Sequence, residues 1–118
     1  NELRIKQAYY LMKAIKLSNI ETLKLTSDQH SVFHQFPILS KKRNLLMTFL
    51  KNRGINCGIY YPKPLSTMKA FSYKGLVNKI HSKHTEKACN EILSLPIGPH
   101  LSIKDSEYIA NAIQSFPK

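Results

Sequence analysis

The fold depends on the stretch Ile55-Asn-Cys-Gly-Ile-Tyr-Tyr-Pro-Lys-Pro-Leu-Ser-Thr-Met68. Its first apolar residues alternate with small or polar ones, the period of a half-buried strand, and Pro62 and Pro64 then prevent its continuation. Pairing therefore ends where Tyr60 and Tyr61 appear. Because adjacent side chains on a strand point to opposite faces, one phenol can pack while the other reaches towards a cleft. From these residues alone, packing of both at a sheet edge is the favoured interpretation.

Length and composition predict one globular domain over residues 1–118. The chain has 118 residues, of which 42% are hydrophobic, and its six prolines are scattered. This length suits one core and is too short for two ordinary domains. No uncharged run approaches the roughly 18 apolar residues that a membrane span needs. The first residues lack the apolar core of a secretion signal, so we expect no membrane contact and a cytoplasmic location.

The charge of the chain is strongly positive. Lysine and arginine number 18 against seven acidic residues, which gives a formal net charge of +11. Such a surplus favours contact with polyanions, so a stand-alone basic nucleic-acid-binding module is one interpretation. The cations are spread along the whole chain, without a zinc-finger spacing or an RNP-type aromatic motif. We therefore favour a diffusely basic, solvated surface and regard nucleic acid as a secondary candidate.

Hydrophobic periodicity and cap residues predict an α+β fold, a small antiparallel or mixed sheet packed with helices. In the strand after Ser31, His34 is expected to share a face with Phe36, and Gln35 with Phe33. In chain order, the predicted elements are a helix over 2–16 packing through Ile5, Ala8, Tyr9, Met12 and Ile15; a strand over 31–39; a helix capped by Ser40 and ending at Gly54; the strand from Ile55; a helix capped by Thr85 and continuing through Leu93; a strand over 93–97; and a final helix behind a capping box at Ser102 and Asp105.

Three cations occupy the first turn after Ser40. Lys41, Lys42 and Arg43 oppose the positive end of the helix dipole there, which is unfavourable unless an anion compensates them. Unpaired amides and three cations together would bind a phosphate or sulfate. The alternative is a merely solvated turn.

Other reactive residues form no complete active site. His81 and His84 have an HxxH spacing but no third ligand nearby, so we expect no metal site. Cys57 and Cys89 lie in apolar patterns, which is typical of inert core thiols in a reducing compartment. No serine, cysteine and histidine arrangement indicates a nucleophile.

Four segments, in this order, resemble the C-terminal small domain of the DegT/DnrJ/StrS-type sugar aminotransferases, which use pyridoxal 5'-phosphate. They are Ser31–Phe36, Leu50–Ile55, Tyr60–Leu65 and Ile92–Pro96. The resemblance implies an N-terminal large domain that binds the cofactor, a homodimer, and residues 1–16 as the link between the domains. The Schiff-base lysine belongs to that absent domain, so this chain alone is expected to bind no cofactor and to be inactive.

The resemblance also implies a site for a nucleotide-sugar. Tyr60 and Tyr61 are expected to face it, and His34 and Gln35 match the family's strand motif. The parent reaction would transfer an amino group from glutamate to a keto-sugar nucleotide, in the biosynthesis of cell-surface polysaccharide or amino sugars.

Three positions depart from the family pattern. The family commonly has His-Tyr-Pro where this chain has Tyr60-Tyr61-Pro62, so Tyr61 carries over and Tyr60 does not. Ser66 and Met68 stand where the family often has histidine or asparagine and then glutamine. A degenerate, non-catalytic remnant with a packing or dimer role therefore remains an alternative.

Overall fold

The computed structural model describes residues 1–69 and 82–118, and in these ranges it has the α+β architecture that the sequence predicts. The helices and strands of the described residues are, in order, α1 (Glu2–Ile15), β1 (Glu21–Thr22), β2 (Phe36–Leu39), α2 (Arg43–Lys51), a 3-10 helix (Leu65–Thr67), α3 (Lys83–Glu91), β3 (Ile92–Leu95) and α4 (Ile103–Gln114). Within the same ranges, none of the helices has both the length and the apolar character that a bilayer span requires.

The sheet is antiparallel, with strand order β1-β2-β3. In the pairing of β2 with β3, Pro37 lies opposite Ser94. On the other side of β3, Gly58 forms a bridge with Ser94, and the two N–H···O distances are 3.0 and 2.8 Å. The segment around Gly58 therefore lies next to β3 at the edge of the sheet, although this segment precedes β3 in the sequence.

The predicted strand from Ile55 was wrong in extent. In the described residues, the pairing of this segment is confined to the bridge at Gly58. Ile55 still belongs to the end of α2, because its N–H donates to the carbonyl of Leu50 at 3.0 Å. Four residues then remain before the tyrosines and Pro62, which is too few for a regular ladder. The alternation persists, with Ile55 buried and the next two apolar side chains half-buried.

The strand predicted over 31–39 begins only at Phe36. Phe33 has a φ of 48°, in the left-handed region, and its N–H donates to Ser31 Oγ at 3.1 Å. A left-handed residue breaks the two-residue alternation of a strand. Phe33 and Phe36 are consequently both buried, with ring centroids 6.2 Å apart. The expected sharing of faces with His34 and Gln35 was wrong, since both of those side chains are exposed.

The core lies between the sheet and helices, and α1 packs against α4. Tyr9, predicted to face inward, is 53% exposed and touches the Phe33 ring only edge-on, at 6.1 Å between centroids. Leu11 is fully buried in its stead. The largest fully buried side chains among the described residues are Phe33, Phe36, Leu11, Ile15, Ile38, Leu46, Leu50, Leu93, Ile113, Gln7 and Ser106.

Gln7 is, with Ser106, one of the two polar members of this set. Its Nε2 donates to the carbonyls of Leu101 (2.6 Å) and Gly98 (3.1 Å), and its Oε1 accepts from the Gly98 N–H (3.1 Å). A buried amide is tolerated when its donor and acceptor are both used, as they are here. The side chain therefore ties α1 to the loop that precedes α4.

Two helix starts differ from the prediction. α2 begins at Arg43, and Ser40 Oγ accepts from the Lys42 N–H at 3.2 Å, ahead of the helix itself. α3 is capped by Ser82, whose Oγ accepts from the Thr85 N–H at 3.2 Å. Thr85 is thus the third helical residue rather than the cap. The prediction of its role was wrong because serine three positions earlier has the same capping chemistry.

The capping box before α4 is confirmed. Ser102 Oγ accepts from the Asp105 N–H at 3.2 Å, and Asp105 Oδ2 accepts from the Ser102 N–H at 2.6 Å. The Ser102 N–H and the Ser102 hydroxyl, which also donates to Oδ2 at 2.7 Å, favour the carboxylate and hold the pKa of Asp105 below its usual value. The end of α2 is also as predicted, since Gly54 has a φ of 75° that suits glycine.

Candidate functional site

The loop after the Gly58 bridge carries the two predicted tyrosines. Tyr60 is 57% exposed and Tyr61 59% exposed, so the favoured interpretation that both pack at the sheet edge was wrong, and neither side chain is buried. Within the described ranges, neither hydroxyl has a hydrogen-bond partner. The 3-10 helix that follows is fixed by Thr67, whose N–H and Oγ1 both donate to the Pro64 carbonyl, at 2.9 and 2.8 Å. Two phenol hydroxyls without hydrogen-bond partners therefore lie on a loop that the Thr67 hydrogen bonds stabilise.

The structure places His34 and Gln35 away from these tyrosines. Pro37 and Gly58 flank Ser94 at the same level of the sheet, and β2 and the Gly58 segment both run antiparallel to β3. The tyrosines therefore leave the sheet at the end where β2 finishes, whereas His34 and Gln35 precede its start. The four residues of β2 span about 10 Å. These two pairs of residues do not form one cluster, and the role of each remains a prediction.

The predicted anion site lies at the same end of the sheet as the tyrosines. Arg43 Nη1 donates to the carbonyl of Cys89 at 2.6 Å, and its Nε donates to Asn44 Oδ1 at 3.0 Å. Arg43 thus interacts with the last turn of α3, where a cation is favourable. Lys42 Nζ donates to the backbone carbonyl of Lys118 at 2.8 Å. The three cations are therefore not directed at one point.

A cavity of about 390 Å³ lies beside this turn. Lys41 and Lys42 line it, but so do Glu21 and Glu91, and its apolar wall includes Phe116. Because charges of both signs face the cavity, attraction of a lone anion is weaker than three cations alone would give. Phosphate binding here stays a prediction.

The two other departures from the family pattern follow the tyrosine loop. Ser66 lies in the 3-10 helix, and its buried Oγ has no hydrogen-bond partner among the described residues. Met68, at the end of that helix, is half-buried. A buried hydroxyl without a partner is uncommon in folded proteins. No sequence signal distinguishes this serine from an ordinary loop serine.

The thiols and histidines show no catalytic arrangement in the described ranges. Burial raises the pKa of Cys57 to about 11, so this thiol is protonated at neutral pH. Cys89 is buried, as expected of a core thiol. His84 is exposed, and His81 lies outside the described residues. Across 1–69 and 82–118, no three histidine, cysteine or carboxylate side chains are grouped to hold a metal ion.

The lysines bear on whether the described residues could hold pyridoxal phosphate covalently. A lysine that forms a Schiff base at neutral pH needs desolvation or a neighbouring cation to lower its pKa. Every lysine in residues 1–69 and 82–118 is exposed. These residues do not fit a covalent cofactor site.

The sequence and fold of this chain are similar to those of known proteins. Residues 1–114 match the sequence profile of the DegT/DnrJ/EryC1/StrS aminotransferase family. The chain belongs to this family. The resemblance read from the four sequence segments is therefore confirmed, and so is the α+β fold class.

Three relatives illustrate this membership. The chain is 36% identical over 97 residues to the "Pleiotropic regulatory protein" of Geobacillus stearothermophilus, covering 82% of this chain and 26% of that protein. It is 35% identical over 85 residues to a UDP-N-acetyl-3-dehydro-alpha-D-glucosamine 3-aminotransferase of Acidithiobacillus ferrooxidans, covering 72% of this chain and 22% of the relative. A family aminotransferase from Brucella abortus, whose crystal structure is known, superposes with a TM-score of 0.86 at 31% identity, over 98% of this chain and 30% of its own.

The chain thus spans less than a third of the length of each of these proteins. The tyrosine loop and the sheet that supports it both lie within the described residues.

Proposed function

We propose that this chain is the small C-terminal domain of a pyridoxal-phosphate-dependent aminotransferase that transfers an amino group from glutamate to a keto-sugar nucleotide. The observation that carries the proposal is the family match over residues 1–114. It is supported by a relative named for acting on a UDP-linked 3-dehydro sugar. The loosely basic surface, with a net charge of +11, suits a substrate that carries a diphosphate.

The cofactor in this proposal is held by another part of the protein. The described lysines are exposed and do not fit a Schiff base, so we assign pyridoxal phosphate to a large domain that precedes this one. We further propose that the parent protein is a cytoplasmic homodimer and that residues 1–118 alone are inactive. Residues 1–16, which include α1, would link the two domains.

The part played by this chain is to bind and orient the sugar substrate. Tyr60 and Tyr61 offer unpartnered hydroxyls that can donate to phosphate or sugar oxygens. Holding the substrate in a reactive orientation raises the rate without any bond making by this domain. His34 and Gln35, at the other end of β2, would have to contact a different part of the substrate or of the site.

The test uses the complete protein, supplied with glutamate and a panel of keto-sugar nucleotides. Amino transfer to at least one of them is expected, and none by residues 1–118 alone. Absence of transfer to every member of the panel would refute the proposal. Retention of duplex DNA at physiological salt by such an inactive protein would instead favour the basic binding module.

A variant tests the site within that protein. Tyr61→Phe removes one hydroxyl and should raise KM for the sugar nucleotide about 2- to 12-fold, the effect of losing one hydrogen bond. KM for glutamate and the cofactor's visible absorbance should not change. Tyr9→Phe is the matched control, because Tyr9 is similarly exposed but lies on α1. An unchanged sugar KM in Tyr61→Phe would remove this residue from the site.

A further inference from the structure

The ring of Tyr60 lies back over Gly58. The two residues are two apart, so they share a face of the extended segment. A β-carbon placed on Gly58 would lie 3.0 Å from Tyr60 Cε2 and Cζ and 3.2 Å from the phenol oxygen. Carbon atoms in ordinary contact are about 3.5–4.0 Å apart. The phenol end of the ring therefore fills the space that a side chain at position 58 would need.

The backbone of Gly58 does not itself require glycine. The positive φ angles of glycines in the described residues are at Gly54 and Gly98, so Gly58 has a conformation open to other residues. Its N–H and carbonyl both bond to Ser94, at 3.0 and 2.8 Å, and alanine would keep these bonds. The three atoms that would lie nearest to a β-carbon at Gly58 all belong to the side chain of Tyr60.

The bridge also fixes where the phenol oxygen lies. Because Gly58 is bonded to strand β3, the position of a ring that contacts Gly58 is fixed relative to the sheet and not only to the loop. The hydroxyl is placed beside the Gly58 bridge, while the side chain remains 57% exposed and accessible to a ligand. A β-carbon would displace the ring outwards, and the oxygen at its tip with it.

We propose that Gly58 is a positioning residue that sets where the Tyr60 hydroxyl meets the nucleotide-sugar. This inference rests on the proposed function. It assigns to Gly58 no contact with the substrate, and its effect passes entirely through Tyr60. The two phenols of the site are then held differently: the Tyr60 ring packs on Gly58, which is paired with the sheet, whereas Tyr61 is positioned by the loop alone.

The experiment is a double-mutant cycle in the complete protein, with Gly58→Ala, Tyr60→Ala and the double variant. Gly58→Ala should raise the sugar KM about 2- to 12-fold, as expected when one hydrogen bond is misplaced. In the Tyr60→Ala background the same change should add nothing, because residues that act through one contact are not additive. KM for glutamate and the cofactor's absorbance should stay unchanged. Asn56→Ala, an exposed neighbour on the same face, is the control and should not alter the sugar KM.

A crystal structure of the Gly58→Ala protein supplies a readout independent of activity, and the expected result is a displaced Tyr60 ring with both bonds to Ser94 intact. The inference is overturned if the ring does not move, or if the KM effects of the two single variants multiply in the double variant. An enzyme in which Tyr60→Ala raises the sugar KM but Gly58→Ala does not would refute this role and leave the proposed function standing. A complete protein that uses no nucleotide-sugar would refute both.

Discussion

Replacing Gln7 by methionine should destabilise the protein through the loop before α4. The substitution keeps a long, unbranched side chain in a site with no solvent exposure, and it removes three hydrogen bonds. The Gly98 N–H is then left buried and unpaired, whereas the Gly98 carbonyl still accepts from the Leu101 N–H at 3.1 Å and the half-buried Leu101 carbonyl can still reach water. At about 1–3 kcal/mol for one buried unpaired group, the expected loss is about 1–3 kcal/mol.

That loss is a sizeable part of the whole stability of such a chain. At about 0.05–0.15 kcal/mol per residue, a domain of this size unfolds with roughly 6–18 kcal/mol. Guanidinium unfolding measures the loss as a lower midpoint at an unchanged m-value. Amide hydrogen exchange provides the local readout, because the Gly98 N–H should exchange faster in the variant.

A second glutamine is the matched control for this experiment. Gln114 is exposed and donates to the Ala14 carbonyl at 2.9 Å across the same pair of helices. Gln114→Met should cost at most about 1 kcal/mol, the net value of one exposed hydrogen bond. Equal losses for Gln7→Met and Gln114→Met, or a loss under about 0.5 kcal/mol for Gln7→Met, would contradict the assigned role.

Two further predictions concern titratable groups. The lowered pKa of Asp105 stabilises the fold above the ordinary aspartate pKa, and this contribution is lost as pH falls through the folded-state value. Asp105→Asn should therefore show a smaller fall in Tm between about pH 5 and about pH 2 than the unmodified protein; an identical fall, with Asp28 as the remaining perturbed carboxylate, would contradict this. Cys57, with a pKa of about 11, should react at pH 8 with a disulfide reagent on the order of 10²-fold more slowly than a free thiol. The rate is measured in a Cys89→Ala background, and a rate equal to that of free cysteine would show that the thiol is not desolvated.

Local chemistry explains which elements the sequence predicted. The helices α1 and α4 and the capping box at Ser102 depend on residues a few positions apart, and these elements are confirmed, with Tyr9 of α1 the exception in facing outward. The start of β2 depends instead on the left-handed Phe33, whose ring packs against its neighbour Phe36 and also against Tyr9 of α1, which is distant in the sequence. The burial of Gln7 has no signal within its own helix, because its partner Gly98 is 91 positions away.

In the candidate site too, features that depend on neighbouring residues were predictable, and features that depend on distant residues were not. That Tyr60 and Tyr61 stand at the end of an extended segment was predictable from alternation and the prolines after them. Their separation from His34 was not, because it depends on strand direction and register, which no local pattern in this chain specifies. The contact of the Tyr60 ring with Gly58 was also not predictable, because it depends on the side-chain conformation of Tyr60 relative to the backbone.

The position of β3 has a consequence for how the site is assembled. β2 and the Gly58 segment are both made early in the chain, yet each is bonded to residues 92–95 rather than to the other. The pairing of Gly58 with Ser94 spans 36 positions. The chain between them must therefore lose conformational entropy to close this loop before the contact can stabilise it. During synthesis, the tyrosine loop therefore has no sheet to rest on until β3 has emerged from the ribosome. A nascent chain arrested before Ile92 should leave both phenols on an unanchored loop.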